Sequence, residues 1–244
     1  MIRLIICVLC WVLLSIPAAL AGFPVLYITG RIDLLWKLAL WSASTGCRLV
    51  GIRIRTVGRE KLEDGRAYLF MSNHASNLDP PILVPLLGRR ITIIAKQEVF
   101  RIPVFGHTMR AAGFISVNRS DRASAVESVR GAVSALHAGL GMLVFPEGTR
   151  SPDGRLLPFK KGPFHLALEA GVPVVPVTIQ GSHEAWAKGS MKLHPGEVVV
   201  TFHAPIEPQQ FGRKEDLLAA VRAAIQSALP EPPHEPVTAD PASR

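Results

Sequence analysis

The chain opens with a long apolar run. Residues 4–30 carry no charged side chain, and about 20 apolar residues are enough to cross the hydrocarbon core of a bilayer. The run could be a cleaved signal peptide, because Arg3 precedes it and small residues at 19–21 resemble a cleavage site. It could equally be a single spanning helix, with the basic residues that follow it retained in the cytoplasm.

A third interpretation of this end is a pair of helices lying in one leaflet. Pro17 and Pro24 interrupt the run, and residues 31–50 mix apolar side chains with a few charges at helical spacing. Spanning and monotopic attachment both stay open, but the basic cluster after the run favours attachment over secretion.

After residue 59 the pattern changes to short apolar runs that alternate with helical stretches. The runs predict strands at residues 68–71, 91–95, 114–117, 142–145, 174–179 and 198–202. Apolar residues at helical spacing predict helices at about 122–137, 161–170 and 214–229. This alternation predicts an α/β fold, a mostly parallel or mixed sheet flanked by helices, preceded by the apolar N-terminal membrane-binding helical segment.

The same pattern divides the chain into three parts. We expect a membrane-anchoring helical segment at residues 1–55, a catalytic domain at residues 56–229 and a Pro-rich, disordered tail at residues 230–244. The tail has no apolar period that could support a packed structure.

Composition narrows the choice of partners. The 244 residues include 27 basic and 19 acidic side chains, a net charge of +8 that favours anionic partners. Many of the basic residues follow the apolar run and do not form the basic, aromatic-rich face of a nucleic-acid binder, so we expect a membrane surface and no nucleic acid. The three cysteines lie in the N-terminal part, so no disulfide framework is predicted for the rest of the chain.

Two polar blocks follow two of the predicted strands. Residues 72–79 come directly after the strand at 68–71, and residues 145–151 follow the strand that begins at 142. Ligands of open α/β sheets sit beyond the carboxyl ends of the strands. We therefore predict that both blocks contribute to one site.

The first block contains His74 and Asp79, a pair that can act as a general base. If Asp79 accepts the Nδ1 proton of His74, Nε2 is free to take a proton from a hydroxyl. Five residues separate the two, so a regular helix would place them on different faces and a turn must bring them together. Alternatively, Asp79 only caps the helix that opens at Pro80.

Together the blocks resemble those of the PlsC-like glycerolipid acyltransferases, the 1-acylglycerol-3-phosphate acyltransferase family. The first is Asn73-His74-x4-Asp79 and the third is Phe145-Pro146-Glu147-Gly148-Thr149-Arg150-Ser151. Residues 113–119 resemble the second block of the family, and residues 172–177 resemble the fourth. The resemblance covers residues 67–205 with all four blocks in order, which is more specific than any single block.

The resemblance implies a role for each matched position. His74 would be the general base and Asp79 its orienting partner, while Arg119 would bind the phosphate of the acceptor. In the third block Glu147, Gly148, Thr149 and Arg150 would bind the acceptor. One of the next two lysines would add positive charge, and we assign this to Lys161. No metal and no cofactor are expected.

The activity implied is transfer of an acyl group from acyl-CoA or acyl-carrier protein to lysophosphatidic acid, which yields phosphatidic acid. The site would face the cytoplasm at a membrane, the inner membrane in a bacterium. The chain has no Gly-x-Ser-x-Gly sequence, so a serine nucleophile of the hydrolase type is not expected. Two alternatives are the same chemistry on glycerol 3-phosphate or a lyso-ornithine lipid, and a non-catalytic peripheral membrane protein.

Overall fold

A mixed sheet forms the centre of the protein. The computed structural model describes residues 1–63, 65–88, 90–118 and 121–230, with the backbone alone for residues 122–126. In this described part, seven strands form one sheet in the order β1-β7-β6-β2-β5-β3-β4. Its strands are β1 (Ile52–Val57), β2 (Leu69–Ser72), β3 (Ile91–Lys96), β4 (Ile115–Val117), β5 (Gly141–Val144), β6 (Val174–Gln180) and β7 (Gly196–Phe202).

The pairing of β6 with β7 is antiparallel, and every other pair is parallel. The prediction of a mostly parallel or mixed sheet is therefore confirmed.

Helices cover both faces of the sheet. The α-helices are α1 (Ile2–Thr29), α2 (Asp33–Leu49), α3 (Asp79–Leu86), α4 (Phe105–Ala111), α5 (Arg122–His137), α6 (Gly162–Ala170), α7 (Ser182–Ala185) and α8 (Lys214–Gln226). Short 3-10 helices lie at Arg59–Lys61, Gln97–Arg101 and Pro208–Gln210. One hydrophobic cluster joins α1, α2 and α3 to the sheet, and a second joins α5, α6 and α8 to it.

The centre of the sheet brings the two polar blocks together. All four residues of β2 are fully buried, as expected for a strand covered on both faces. In the parallel pair of β2 with β5, Met71 lies opposite Val144. The segments that follow these residues, 72–79 and 145–151, therefore leave the sheet side by side.

The N-terminal segment is an antiparallel helix pair that packs on the domain. Gly22 of α1 meets Leu35 of α2, and Trp11 meets Gly46, with its indole N–H donating to the carbonyl of Ala43 at 3.4 Å. α1 runs without a break through Pro17 and Pro24, where the sequence suggested an interruption. Among the described helices, α1 alone is long and apolar enough to cross a membrane by length and composition.

Most of the predicted elements match the structure, and β1 is the main addition. The helix predicted at 122–137 is α5, and α6 ends at Gly171 in the left-handed conformation, as its sequence indicated. β1 was not predicted, because its arginines were assigned to the basic cluster that follows the apolar run. The predicted boundary between residues 55 and 56 falls inside this strand. The tail from residue 231 onward lies outside the described residues.

Candidate active site

The loop after β2 brings His74 and Asp79 into contact. The Nδ1 atom of His74 lies 2.7 Å from Oδ2 of Asp79. The same oxygen accepts the backbone N–H groups of Ala75 and Ser76 at 2.7 and 2.8 Å. Asp79 is fully buried at the first turn of α3 and makes no capping hydrogen bond to that helix. The carboxylate thus holds the turn and the imidazole together, as the interpretation of a paired base requires.

This arrangement leaves the Nε2 atom of the imidazole available for chemistry. Because a carboxylate is only an acceptor, Nδ1 carries the proton and Nε2 is the basic nitrogen. The ring of His74 stacks on Phe145, with the ring centres 4.0 Å apart and the planes at 19°. The His74 side chain keeps 17% of its surface exposed, so a substrate hydroxyl can reach it.

Asn73 fixes the start of the loop to the sheet. Its side-chain amide donates to the carbonyl of Ile179 at 2.9 Å and accepts the N–H of the same residue at 2.8 Å. Further along the loop, the hydroxyl of Ser76 donates to the carbonyl of Trp186 at 2.8 Å. The loop is therefore held at its start and at its middle by the segment that begins with β6.

Glu147 joins the first polar block to the third. It is buried, with Oε1 accepting the backbone N–H of His74 at 2.7 Å and Oε2 accepting that of Leu157 at 3.0 Å. Burial raises the pKa of the Glu147 carboxyl to about 7, and the nearby Asp79 adds to the rise. The two backbone hydrogen bonds and the charge of Arg222 lower the pKa and so oppose that rise.

A second hydrogen bond joins the two blocks, and here the third block supplies the donor. The backbone N–H of Ser151 donates to the carbonyl of His74 at 2.7 Å. Both backbone groups of His74 are thus bonded to the third block.

A large apolar cavity opens beside this pair. Its volume is about 1270 Å³, larger than most small-molecule pockets. His74 lies in its wall together with Gly148, Thr149 and Arg150. Much of the remaining wall is apolar and comes from α1, α2, β3 and the segment after β3. The N-terminal helices therefore form part of the same cavity as the histidine.

Apart from Glu147, the predicted binding residues divide into three groups. Gly148, Thr149 and Arg150 line the cavity, and Gly148 has a φ of +71°. Lys161 pairs with Glu215 of α8 at 3.1 Å, whereas Lys160 lies over Gly148 and lines the cavity. Of the two lysines, Lys160 and not the predicted Lys161 lines the cavity. Arg119 lies outside the described residues.

Several contributors were not singled out from the sequence. The Lys188 ammonium donates to the carbonyl of Arg150 at 3.0 Å. The guanidinium of Arg222 donates to the carbonyl of Leu157 at 2.7 Å, which supports the loop that Glu147 holds. The sequence around these residues carries no motif, so only the pairing of distant segments reveals them. Among the described residues, no group of three or more His, Cys, Asp or Glu side chains is arranged to hold a metal ion.

Known proteins have sequences similar to this chain. A family model described as Acyltransferase matches residues 53–180. The 1-acyl-sn-glycerol-3-phosphate acyltransferase of Limnanthes alba is 40% identical over 159 residues, which are 65% of this chain and 56% of that protein. The alpha form from Homo sapiens is 33% identical over 159 residues, with the same coverage of 65% and 56%. The chain thus spans little more than half the length of these curated relatives.

A solved structure is similar along nearly the whole chain. It is the 1-acyl-sn-glycerophosphate (LPA) acyltransferase PlsC from Thermotoga maritima, with a TM-score of 0.76 and 28% sequence identity. The similarity covers 93% of this chain and 94% of that one. The resemblance seen in the four sequence blocks is confirmed, and the chain belongs to the acyltransferase family.

Proposed function

We propose that this protein is a membrane-attached O-acyltransferase that acylates the sn-2 hydroxyl of 1-acylglycerol 3-phosphate to give phosphatidic acid. The observation that carries the proposal is the contact of His74 with the buried Asp79 at the wall of an apolar cavity of about 1270 Å³. A base beside an apolar cavity suits a reaction in which a hydroxyl must be activated next to a long acyl chain.

The proposed reaction is a single displacement on a thioester. Nε2 of His74 takes the proton of the acceptor hydroxyl as its oxygen attacks the thioester carbonyl. The new C–O bond forms, the C–S bond breaks, and the imidazolium returns its proton to the departing thiolate. Asp79 keeps the imidazole in the required tautomer and stabilises the imidazolium. No covalent acyl-enzyme is needed.

Binding of the acceptor phosphate is assigned to the basic residues around the third block. Arg150 and Lys160 line the cavity near His74, and a guanidinium can hold a phosphate through two parallel hydrogen bonds. Arg119 remains the predicted third contributor by resemblance. A fixed phosphate would hold the acceptor hydroxyl next to the base. Such positioning of the reacting groups lowers the barrier of the reaction.

Attachment to the cytoplasmic face of a membrane suits both substrate and structure. The exposed side of α1 carries large apolar residues along its length, and a helix of this kind partitions into the interface. Acceptor and product are themselves amphiphiles, so a site at the bilayer would receive its acceptor by diffusion within the leaflet. The basic character of the chain favours anionic lipids and an anionic acyl carrier.

The acceptor is suggested by the names of the relatives. Those described above are named as acyltransferases of 1-acyl-sn-glycerol 3-phosphate, which favours this lipid over glycerol 3-phosphate or a lyso-ornithine lipid. The donor, acyl-CoA or acyl-carrier protein, is left to experiment.

An acyl-transfer assay on the full chain tests the proposal. Labelled acyl-CoA and acyl-carrier protein would be offered with lysophosphatidic acid, glycerol 3-phosphate and phosphate-free lysolipids. We expect transfer to lysophosphatidic acid and a loss of at least about a hundredfold in His74→Ala, given the usual contribution of a general base. The control is His194→Ala, because His194 is exposed.

Two results would contradict the proposal. Full activity in His74→Ala would show that His74 is not the general base. Vesicle binding without acyl transfer to any acceptor would indicate a non-catalytic protein. In the same assay, Arg119→Ala should lower the activity with lysophosphatidic acid more than the activity with a phosphate-free acceptor.

A further inference from the structure

A short exposed segment after β3 carries apolar side chains at the cavity. Residues 102–105, called the apolar loop below, have the sequence Ile-Pro-Val-Phe. Ile102, Val104 and Phe105 are 50%, 41% and 52% exposed. Four consecutive apolar residues on a surface indicate a contact with an apolar partner, since isolated exposed residues are common but contiguous patches are not.

The conformation of the apolar loop presents its side chains outward. The N–H of Phe105 donates to the carbonyl of Pro103 at 2.6 Å, a three-residue turn centred on Val104. Val104 has a φ of +61°, and it is the only non-glycine residue with positive φ in the part of the chain that the structure describes. β-Branched residues rarely adopt this conformation, and the turn that requires it lies among the exposed apolar side chains of the loop.

The apolar loop adjoins the C-terminal end of α1. The hydroxyl of Tyr27 lies 2.6 Å from Nε2 of His107, in the helix that follows the loop. The ring of Phe23 meets that of His107 edge to face, with centres 4.9 Å apart. Tyr27 and Ile28 are 69% and 83% exposed. The apolar loop and the exposed apolar residues of α1 are therefore close neighbours on the surface.

The cavity opens between these two elements. Residues that line it and are themselves exposed come from both sides of the opening: Val8, Val12 and Ile16 of α1, and Ile102, Val104 and Phe105 of the apolar loop. Arg101 and Arg110 are exposed beside the loop, with Glu98 the neighbouring acid. An apolar rim bordered by basic residues matches the acyl region and anionic headgroups of a lipid leaflet.

We propose that the apolar loop is a second membrane-inserting element, which enters the leaflet beside α1 so that the cavity opens directly into the lipid. An acyl chain would then pass from the leaflet between α1 and the loop without crossing water. This inference rests on the proposed function, because it takes the acceptor to be a membrane lipid. The occupant of the surface is the lipid leaflet.

Tryptophan fluorescence with quencher lipids tests insertion without any need for activity. Phe105→Trp and Met191→Trp form a matched pair, because both native side chains are exposed, at 52% for Phe105 at the start of α4 and 63% for Met191 in a loop, and Met191 does not line the cavity. Each full-length variant would be reconstituted in vesicles of equal parts phosphatidylcholine and phosphatidylglycerol, with and without brominated acyl chains. The unsubstituted protein gives the background from its own tryptophans.

We expect bromine to quench the new tryptophan of Phe105→Trp strongly and that of Met191→Trp little. Equal quenching in the two variants, or none at position 105, would overturn the inference. If no acyl transfer is found with any acceptor, the proposed function fails while the quenching result still decides insertion.

A kinetic comparison tests the entry of the acyl chain. Phe105→Asp should raise the KM for long-chain lysophosphatidic acid in vesicles at least fivefold, because a charge at the rim resists insertion. Met191→Asp should leave this KM unchanged. An unchanged KM in Phe105→Asp would contradict the role of the loop in substrate entry, and unaltered thermal melting of both variants would show that they fold.

Discussion

Glu147 holds the backbone of His74, and we expect it to influence the proposed reaction through that contact. Both of its oxygens accept backbone N–H groups, so its contacts position the base. We predict that Glu147→Gln lowers kcat about tenfold or more with little change in the acceptor KM, because an amide N–H₂ cannot accept the second hydrogen bond and small displacements of a catalytic group are costly. Steady-state kinetics would measure this, with the exposed Glu197→Gln as control. A raised acceptor KM at unchanged kcat would instead support the acceptor-binding role that the resemblance implied.

The raised pKa of Glu147 gives this residue a signature in pH. The carboxyl titrates at about 7 in the folded protein, above the ordinary value near 4.3 expected in the unfolded chain. Between these values the folded state binds more protons, so the free energy of unfolding falls as pH rises from about 4.5 to 7. Thermal melting measured from pH 5 to pH 8 should show this decline in stability for the native protein. The Glu147→Gln variant should lack the part of the decline that the Glu147 carboxyl causes. Parallel curves for the two proteins would contradict the assignment.

At the residue scale, the sequence singled out His74 and Asp79 but not the residues that support them. The two are close in sequence, so a turn could bring them together, and capping of the next helix by Asp79 was the alternative. Asn73 bonds to Ile179 and Glu147 to the backbone of His74, contacts between segments that are distant along the chain. Such contacts depend on strand order, which a single sequence does not specify. For the same reason, the spacing of Lys160 and Lys161 could not decide which of them faces the cavity.

At the element scale, long periodic segments were predicted well and edge features were not. α5 was predicted with the right bounds because its apolar residues recur at helical spacing. β1 alternates apolar and basic residues, a pattern typical of an edge strand with one wet face, but its position after an apolar run favoured a membrane-side interpretation. α1 continues past its two prolines, because tertiary packing overrides local preference.

The contact of α1 with α2 depends on a glycine in α2. A Cβ at Gly46 would lie 2.1 Å from the indole nitrogen of Trp11, an impossible approach. We predict that Gly46→Ala separates the helices and lowers the thermal midpoint by several degrees, as overpacking usually costs about 1–3 kcal/mol.

The matched control is Gly131→Ala within α5. A Cβ at position 131 would meet only Ile115 Cδ1, at 3.8 Å. The higher helix propensity of alanine should therefore stabilise the protein by about 0.5–1 kcal/mol. Differential scanning fluorimetry in detergent would compare the thermal midpoints of the two variants. Equal shifts of the midpoint from that of the native protein would contradict the packing argument.

At the scale of the whole molecule, the N-terminal helices are part of the catalytic unit. They line the same cavity as His74, and α2 belongs to the hydrophobic cluster that includes the sheet. Removing them would open the cavity to water.

This packing favours the monotopic mode of the proposed membrane attachment over the spanning one. The guanidinium of Arg3, at the start of α1, donates to the carbonyl of Val50 at 3.2 Å, where the chain enters the sheet. A helix that crossed the bilayer would carry its first residue to the far side, away from that contact, so we predict that α1 lies in one leaflet. Epitopes fused to the two termini should both be digested by protease added to inside-out vesicles, which expose the cytoplasmic face. An N-terminal epitope protected in those vesicles, and digested only in right-side-out ones, would show a spanning helix and would mean that α1 leaves the wall of the cavity.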